Sequence, residues 1–96
     1  MKTHYSLWIT KGHLFIDVEG QNVLLDTGSH VSIGQSPHVT FAGCRYPLVP
    51  NYECVRLEPF SDFIGQRVDV LVGMDILGKH NFLIDVEGKL LRLLKQ

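Results

Sequence analysis

Residues 23–29 read Val-Leu-Leu-Asp-Thr-Gly-Ser, an apolar run that ends on a carboxylate, a hydroxyl and a glycine. Three consecutive apolar residues favour a strand that is buried on both faces, and the glycine allows a turn that other residues resist. The Asp26 carboxylate would then lie at the mouth of a turn, held by the strand behind it. Taken alone, residues 26–29 also describe a capped turn, in which Asp and Thr accept backbone N–H bonds.

Outward from this turn the dominant period is two, which indicates strands. The largely apolar runs 14–18 and 23–25 surround the polar break 19–22, and this arrangement is a hairpin signal. The five letters Ile-Asp-Val-Glu-Gly at 16–20 occur again at 84–88, where a second apolar run also follows. Whether or not the repeat is coincidental, both stretches are predicted hairpins.

The middle of the chain is less regular, because four prolines between residues 37 and 59 exclude long regular helices. Short strands are predicted at residues 39–41, 44–49 and 53–57. Another strand at residues 68–72 stops at Gly73, and a short helix follows over 74–79. The pattern therefore predicts an all-β domain over residues 1–96 with one short helix near its C-terminus.

Length and charge limit the possible classes of protein. The 96 residues allow one domain with a small core, and dimerisation is a common way to supply missing burial. A net charge of -1 gives no electrostatic reason to expect nucleic acid or an anionic membrane as partner. No apolar run approaches the ~20 residues of a membrane span, and no signal-peptide pattern is present. The compartment stays unknown, with the cytoplasm favoured, and the domain could belong to a longer protein.

The cysteines and histidines do not form a ligand pattern. Cys44 and Cys54 have neither metal-ligand spacing nor a disulfide framework around them, so two free thiols are favoured over a bridge. The histidines lack metal-ligand spacing and paired acids; they are His4, His13, His30, His38 and His80. No metal and no cofactor are therefore expected.

Other polar and aromatic side chains have ordinary structural interpretations. Asp17 and Asp85 belong to hairpin strands and are expected to be solvated or bonded to their turns. Asp75 is expected to cap the short helix that follows Gly73. Tyr5 and Trp8 are expected in the core or in an interface rather than in a ligand platform.

Two separated motifs occur in order, Leu-Leu-Asp-Thr-Gly-Ser at 24–29 and Val-Leu-Val-Gly-Met-Asp-Ile-Leu at 70–77. Together they resemble the retropepsin-like aspartic peptidases, which include the retroviral proteases and the DNA-damage-inducible proteases. The tail, residues 79–93, resembles the closing hairpin of the second group, and the likeness covers residues 13–34 and 66–94. The resemblance implies a closed β-barrel lobe of the acid-protease type with one short C-terminal helix, paired as a twofold homodimer.

The resemblance also implies an aspartic endopeptidase that acts on extended, largely apolar peptide segments. In that family each subunit contributes one Asp-Thr-Gly loop, and two carboxylates about 3 Å apart share one proton. Asp26 would be the catalytic residue, Thr27 would bond across the dimer, and Gly28 would let the loops approach. Ser29 and His30 would lie beside the substrate, with the Ser29 hydroxyl holding the carboxylate and His30 in place of a second acid.

The segment between the loop and Gly73 is shorter than in the family. It normally contains a glycine-tipped flap that closes over the substrate, whereas the candidate tip at residues 45–51 lacks glycine. A reduced flap leads to an alternative function, a catalytically weak or inactive module for dimerisation or peptide binding. A third interpretation is an unrelated, monomeric β-barrel with a chance Asp-Thr-Gly turn.

Overall fold

The fold is described by a computed structural model that covers residues 3–50 and 57–94. In these residues the chain is mostly strand, with two helices. The strands are β1 (His4–Thr10), β2 (His13–Val18), β3 (Gln21–Leu25), β4 (Ile33–Gly34), β5 (His38–Phe41), β6 (Cys44–Pro47), β7 (Val49–Pro50), β8 (Val70–Val72), β9 (Phe82–Asp85) and β10 (Leu90–Leu93). The helices are α1 (Leu57–Ile64) and α2 (Met74–Leu77).

Two-residue turns join three of the hairpins. Each turn has a residue of positive φ followed by a glycine of positive φ: Lys11-Gly12, Glu19-Gly20 and Ala42-Gly43. Positive φ at both central residues is the type I′ geometry, whose twist matches that of the flanking strands. The hairpin predicted around residues 19–22 is therefore confirmed as β2 and β3.

Eight strands form one mixed sheet in the order β7-β4-β8-β3-β2-β1-β10-β9. The pairs β3–β8 and β4–β7 are parallel, and the other neighbours are antiparallel. The predicted closed barrel is wrong, since β7 and β9 end the sheet and do not pair with each other in the described residues. Closure needs a continuous ladder around the barrel, and β7 has two residues, of which Pro50 lacks an N–H.

The helix content also differs from the prediction. The short helix after Gly73 is confirmed as α2, but α1 was not predicted. Its proline, Pro59, lies in the first helical turn, where a missing N–H costs no intrahelical hydrogen bond. Of the strand predicted at residues 53–57, Leu57 instead begins α1, and the other residues lie outside the described part of the chain. The strand predicted at 39–41 is confirmed as β5, and the one predicted at 44–49 is divided into β6 and β7 at Leu48. The strand predicted at 68–72 is confirmed as β8 from Val70 onward.

The sheet lies between two coverings. The hairpin β5–β6 packs on one face, where its Phe41 joins buried residues from several strands of the sheet and from α2. Helix α1 covers part of the other face through Leu57 and Ile64. Strand β3 contributes Val23 and Leu25 to the first cluster and Leu24 to the second. The prediction that this strand is buried on both faces is confirmed.

The two predicted core aromatics lie within these layers. Tyr5 is buried and stacks on Phe41, with ring centroids 5.4 Å apart. Trp8 stacks on Phe15 at 5.7 Å on the helix side of the sheet, and its indole N–H donates to Gln66. Both side chains therefore pack against other aromatic rings of the fold, as expected for core residues.

Candidate functional site

Asp26 begins the loop that follows β3, at the end of the parallel pair β3–β8. Its backbone N–H donates to the Val72 carbonyl at 2.9 Å, which continues the pairing one residue into the loop. Its carboxylate accepts a hydrogen bond from the Gly28 N–H at 3.0 Å. The side chain is half-buried, so one face of the carboxylate is bonded to its own turn while part of it meets solvent.

Gly73 brings the two sequence motifs into contact. A Cβ atom at this position would lie 2.7 Å from the Ser29 carbonyl oxygen and 2.6 Å from the Val31 carbonyl oxygen, so no side chain fits. The next residue, Met74, donates its N–H to the same Ser29 oxygen at 2.8 Å. The glycine is needed here because two backbone segments approach closely, and its own φ is not positive.

Ser32 and Asp75 form a second link between the motifs. The Asp75 carboxylate accepts from the Ser32 N–H at 3.0 Å and from the Ser32 hydroxyl at 2.6 Å. The same hydroxyl accepts from the Gly73 N–H at 2.9 Å. The prediction that Asp75 caps α2 is wrong, since Gly73 is the N-cap residue and no side chain caps the helix. The carboxylate reaches across to the Asp26 loop because Ser32 offers it two donors.

Ser32 was missed by sequence reasoning. Its side chain is 0% exposed, the one buried polar residue in the described part of the chain. A signal was present, because Ser32 interrupts the apolar pair Val31 and Ile33 at a point where a buried hydroxyl requires a partner. The partner, Asp75, lies 43 residues away and could not be identified from local pattern.

The other predicted site residues lie at the surface of the same loop. Thr27, Gly28 and His30 are exposed, and Thr27 has no side-chain hydrogen bond within the described residues. The Ser29 hydroxyl donates to the Val31 carbonyl at 2.7 Å, so it is used within its loop rather than on Asp26. The loop therefore presents the Asp26 carboxylate beside the exposed Thr27 and Gly28.

Two large apolar side chains flank this loop in solvent. Val31 is 44% exposed and Met74 is 45% exposed. Val31 lies in the Asp26 loop and Met74 begins α2, and these two segments meet at Gly73. Exposed apolar surface is therefore present on both segments that meet at Gly73.

The one glycine-turned hairpin between the two motifs in the described residues does not cover the site. Its turn is Ala42-Gly43. The tip predicted at 45–51 is wrong for its described part, since residues 45–47 and 49–50 lie in β6 and β7, and Asn51 lies outside the described residues. Phe41 lies edge-on to His80, and the Tyr46 hydroxyl shares a hydrogen bond with the His80 Nε2 at 2.5 Å. These contacts hold the hairpin against the core.

The sheet register separates this hairpin from Asp26. Leu7 pairs with Ile16, and Ile16 pairs with Val23, so these residues mark one level of the sheet. Tyr5, which contacts the hairpin turn, comes before that level on β1. Asp26 comes after it on β3, which runs in the same direction. The hairpin turn and Asp26 therefore lie toward opposite ends of the strands.

Other possible sites lack reactive geometry. Within residues 3–50 and 57–94, no three His, Cys, Asp or Glu side chains meet as a metal site. Cys44 is free, as predicted, and its side chain is exposed, while Cys54 lies outside the described residues. A cavity of about 500 Å³ is lined by residues of α1 and residues 65–69 and does not include Asp26. None of the helices in the described residues is long and apolar enough to cross a membrane.

Comparison with known proteins gives no assignment: no family model, no curated protein and no solved structure matches the chain.

Proposed function

We propose that the chain is an aspartic endopeptidase of the retropepsin-like type that acts as a homodimer. The observation that carries this proposal is the contact between the Asp26 loop and Gly73, produced by the parallel pair β3–β8. It leaves a half-buried carboxylate at the surface on a rigid strand end, next to the exposed Thr27 and Gly28.

The chemistry requires a second copy, because the chain contains one Asp-Thr-Gly sequence. Two Asp26 carboxylates at close range would share one proton, and their titration would belong to the pair. The ionised member would draw a proton from a bound water molecule. The protonated member would donate a hydrogen bond to the peptide carbonyl as water adds to it.

The surroundings of Asp26 support an extended apolar substrate. Val31 and Met74 offer exposed apolar contact area on the two segments that meet at Gly73. His30 stands at the surface of the same loop and can contact the substrate backbone or a polar side chain. Thr27, whose hydroxyl is exposed, is suited to bond the loop of the partner copy.

Peptide cleavage tests the proposal. A diverse peptide mixture is incubated with the wild type, with Asp26→Asn and with the control Asp17→Asn, and products are read by mass spectrometry. The pH range of about 3.5 to 7.5 covers the titration of a perturbed carboxylate pair. We expect cuts with the wild type and the control that vanish with Asp26→Asn. Absence of Asp26-dependent cuts from folded, dimeric protein would overturn the proposal.

A second candidate is a dimerisation or peptide-binding module without turnover. It is favoured by the hairpin β5–β6, which packs on the core and leaves the Asp26 loop uncovered in the described residues. In this case Asp26→Asn would leave peptide affinity nearly unchanged.

A third candidate, a monomeric domain with a capped turn, is favoured by the bond between the Gly28 N–H and Asp26. Sedimentation of a monomer at all concentrations would support it.

A further inference from the structure

The loop that carries Asp26 is attached to the sheet at both of its ends. At its start, the Asp26 N–H bonds Val72. At its end, Ser32 is fully buried and bonds both Gly73 and Asp75. The position of the Asp26 carboxylate therefore depends on Ser32 as well as on β3.

Asp75 is suited to hold Ser32 because an ionised carboxylate only accepts hydrogen bonds. The Ser32 hydroxyl already accepts from the Gly73 N–H, so its own proton points to Asp75. The second carboxylate oxygen takes the Ser32 N–H. An asparagine offers one accepting oxygen and two donors, so it would satisfy one of these two bonds and oppose the other.

The chain contains a matched carboxylate at the other end of the same strand pair. Asp69 precedes β8 and accepts the Asn22 N–H at 2.8 Å, just as Asp75 follows β8 and accepts the Ser32 N–H. Both bonds join segments distant in sequence, by 47 and 43 residues. Within the described residues Asp69 has no hydrogen bond or ion pair to the Asp26 loop. Its replacement therefore separates an effect on stability from an effect on the position of the loop.

We propose that Asp75 is a positioning residue for the Asp26 loop and acts through the Ser32 hydroxyl. The inference rests on the proposed function for its catalytic consequence. It does not make Asp75 a catalytic residue, because its carboxylate is already engaged with Ser32 and not with substrate.

The test compares Asp75→Asn with Asp69→Asn. Turnover of the best peptide found for the wild type is measured as kcat and KM, and hydrogen exchange of individual amides is followed by NMR. We expect Asp75→Asn to lower kcat roughly tenfold or more, since small misplacements of reacting groups have large effects on rate, and to change KM less than twofold. The Gly28 and Met74 amides should exchange faster in this variant. Asp69→Asn should keep kcat and accelerate exchange near Asn22.

A second variant covers the case in which Asp75→Asn does not fold. Ser32→Ala removes the hydroxyl and keeps the bond from the Ser32 N–H to Asp75. It should reproduce the loss of kcat, and where both single variants fold, the double variant should lose little more than either, because the two residues act as one unit.

Two results would overturn the positioning role: an unchanged kcat with wild-type exchange at Gly28 in the folded variants, or an equal loss of kcat in Asp69→Asn. A wild type without Asp26-dependent turnover would instead remove the proposed function. In that event hydrogen exchange of the Gly28 amide in Asp75→Asn still decides whether Asp75 positions the Asp26 loop.

Discussion

The phenolic oxygen of Tyr5 accepts a hydrogen bond from the backbone N–H of Ala42 at 2.9 Å. This bond fixes the turn of the hairpin β5–β6 to the strand β1, and the Phe41 ring stacks on Tyr5 beside it. The hairpin is therefore a layer of the fold that shares the core of the sheet. The Asp26 loop is covered by no hairpin within the described residues.

Alkaline pH should destabilise the protein through Tyr5. Burial, with a smaller contribution from the charge of Glu19, raises the pKa of Tyr5 above 10.0, against the opposing bond from Ala42. The stabilisation is present below the unfolded pKa of about 10 and is lost as the pH rises through the folded value. Tyr5→Phe should cost about 1 kcal/mol at pH 7 and flatten the alkaline loss.

Urea unfolding from pH 7 to about pH 11 measures this change. Burial also raises the pKa of Tyr46, so Tyr5→Phe should remove part of the loss and Tyr46→Phe another part. If the free energy of unfolding has the same pH dependence in wild type and Tyr5→Phe, ionisation of Tyr5 does not contribute to the alkaline loss of stability.

The hairpin should behave as core in a comparison of two phenylalanines. Phe41 is 0% exposed and Phe63 is 74% exposed. Phe41→Ala should lower the free energy of unfolding by about 3–5 kcal/mol, and Phe63→Ala by less than about 0.5 kcal/mol. Denaturant unfolding measures both, with Phe41→Leu as the milder variant. A small effect of Phe41→Ala on the free energy of unfolding would mean that the hairpin β5–β6 can leave the sheet while the sheet stays folded, as a mobile lid would.

Gly73 should not tolerate a methyl group. In Gly73→Ala the new Cβ would collide with the Ser29 and Val31 carbonyls, which forces a backbone shift and costs about 3 kcal/mol. The control Gly20→Ala has free space but a positive φ of 83°, so strain alone should cost about 1 kcal/mol. Thermal and urea unfolding compare the two, and equal losses would contradict the close approach at Gly73.

Thr27 should matter for association and not for the fold. Its side chain is exposed, so Thr27→Ala should change the unfolding of the monomer by less than about 0.5 kcal/mol. If each Thr27 bonds the partner copy at about 1 kcal/mol, the dimer Kd should rise roughly tenfold or more. Sedimentation over a concentration series measures this, with the exposed Thr40→Ala as control. An unchanged Kd, or a wild type that never dimerises, would exclude this role for Thr27.

Local sequence pattern was sufficient for the elements that are defined by near neighbours. Sequence pattern predicted the buried strand at 23–25, the turn near Glu19 and the short helix after Gly73. In each case the residues that determine burial or turn geometry lie within a few positions of one another. The sheet order, the open edge and helix α1 were not predicted. These features depend on which faces of the sheet remain to be covered after the strands pair. Helix α1 was also missed because Pro59 lies within it, and a proline usually indicates the end of a helix.

The repeated letters Ile-Asp-Val-Glu-Gly demonstrate the same limit. At 16–20 they form a two-residue turn, since Val18 pairs with Gln21. At 84–88 they form a longer turn, since Asp85 pairs with Leu90 and its carboxylate accepts the Gly88 N–H. The turn lengths differ because the residues after each repeat differ. Each strand register places the apolar run that follows the repeat, 23–25 or 90–94, against the core.

The parallel pair β3–β8 also fixes the order of assembly. Hairpins such as β2–β3 join near neighbours and can form within microseconds, whereas the links Asn22–Asp69 and Ser32–Asp75 close loops of 47 and 43 residues. Long loop closure is slow and cannot precede synthesis of the second strand. During synthesis the Asp26 loop therefore stays unassembled until residues 70–75 have been made, and the Asp26 carboxylate is not held in its folded position before then.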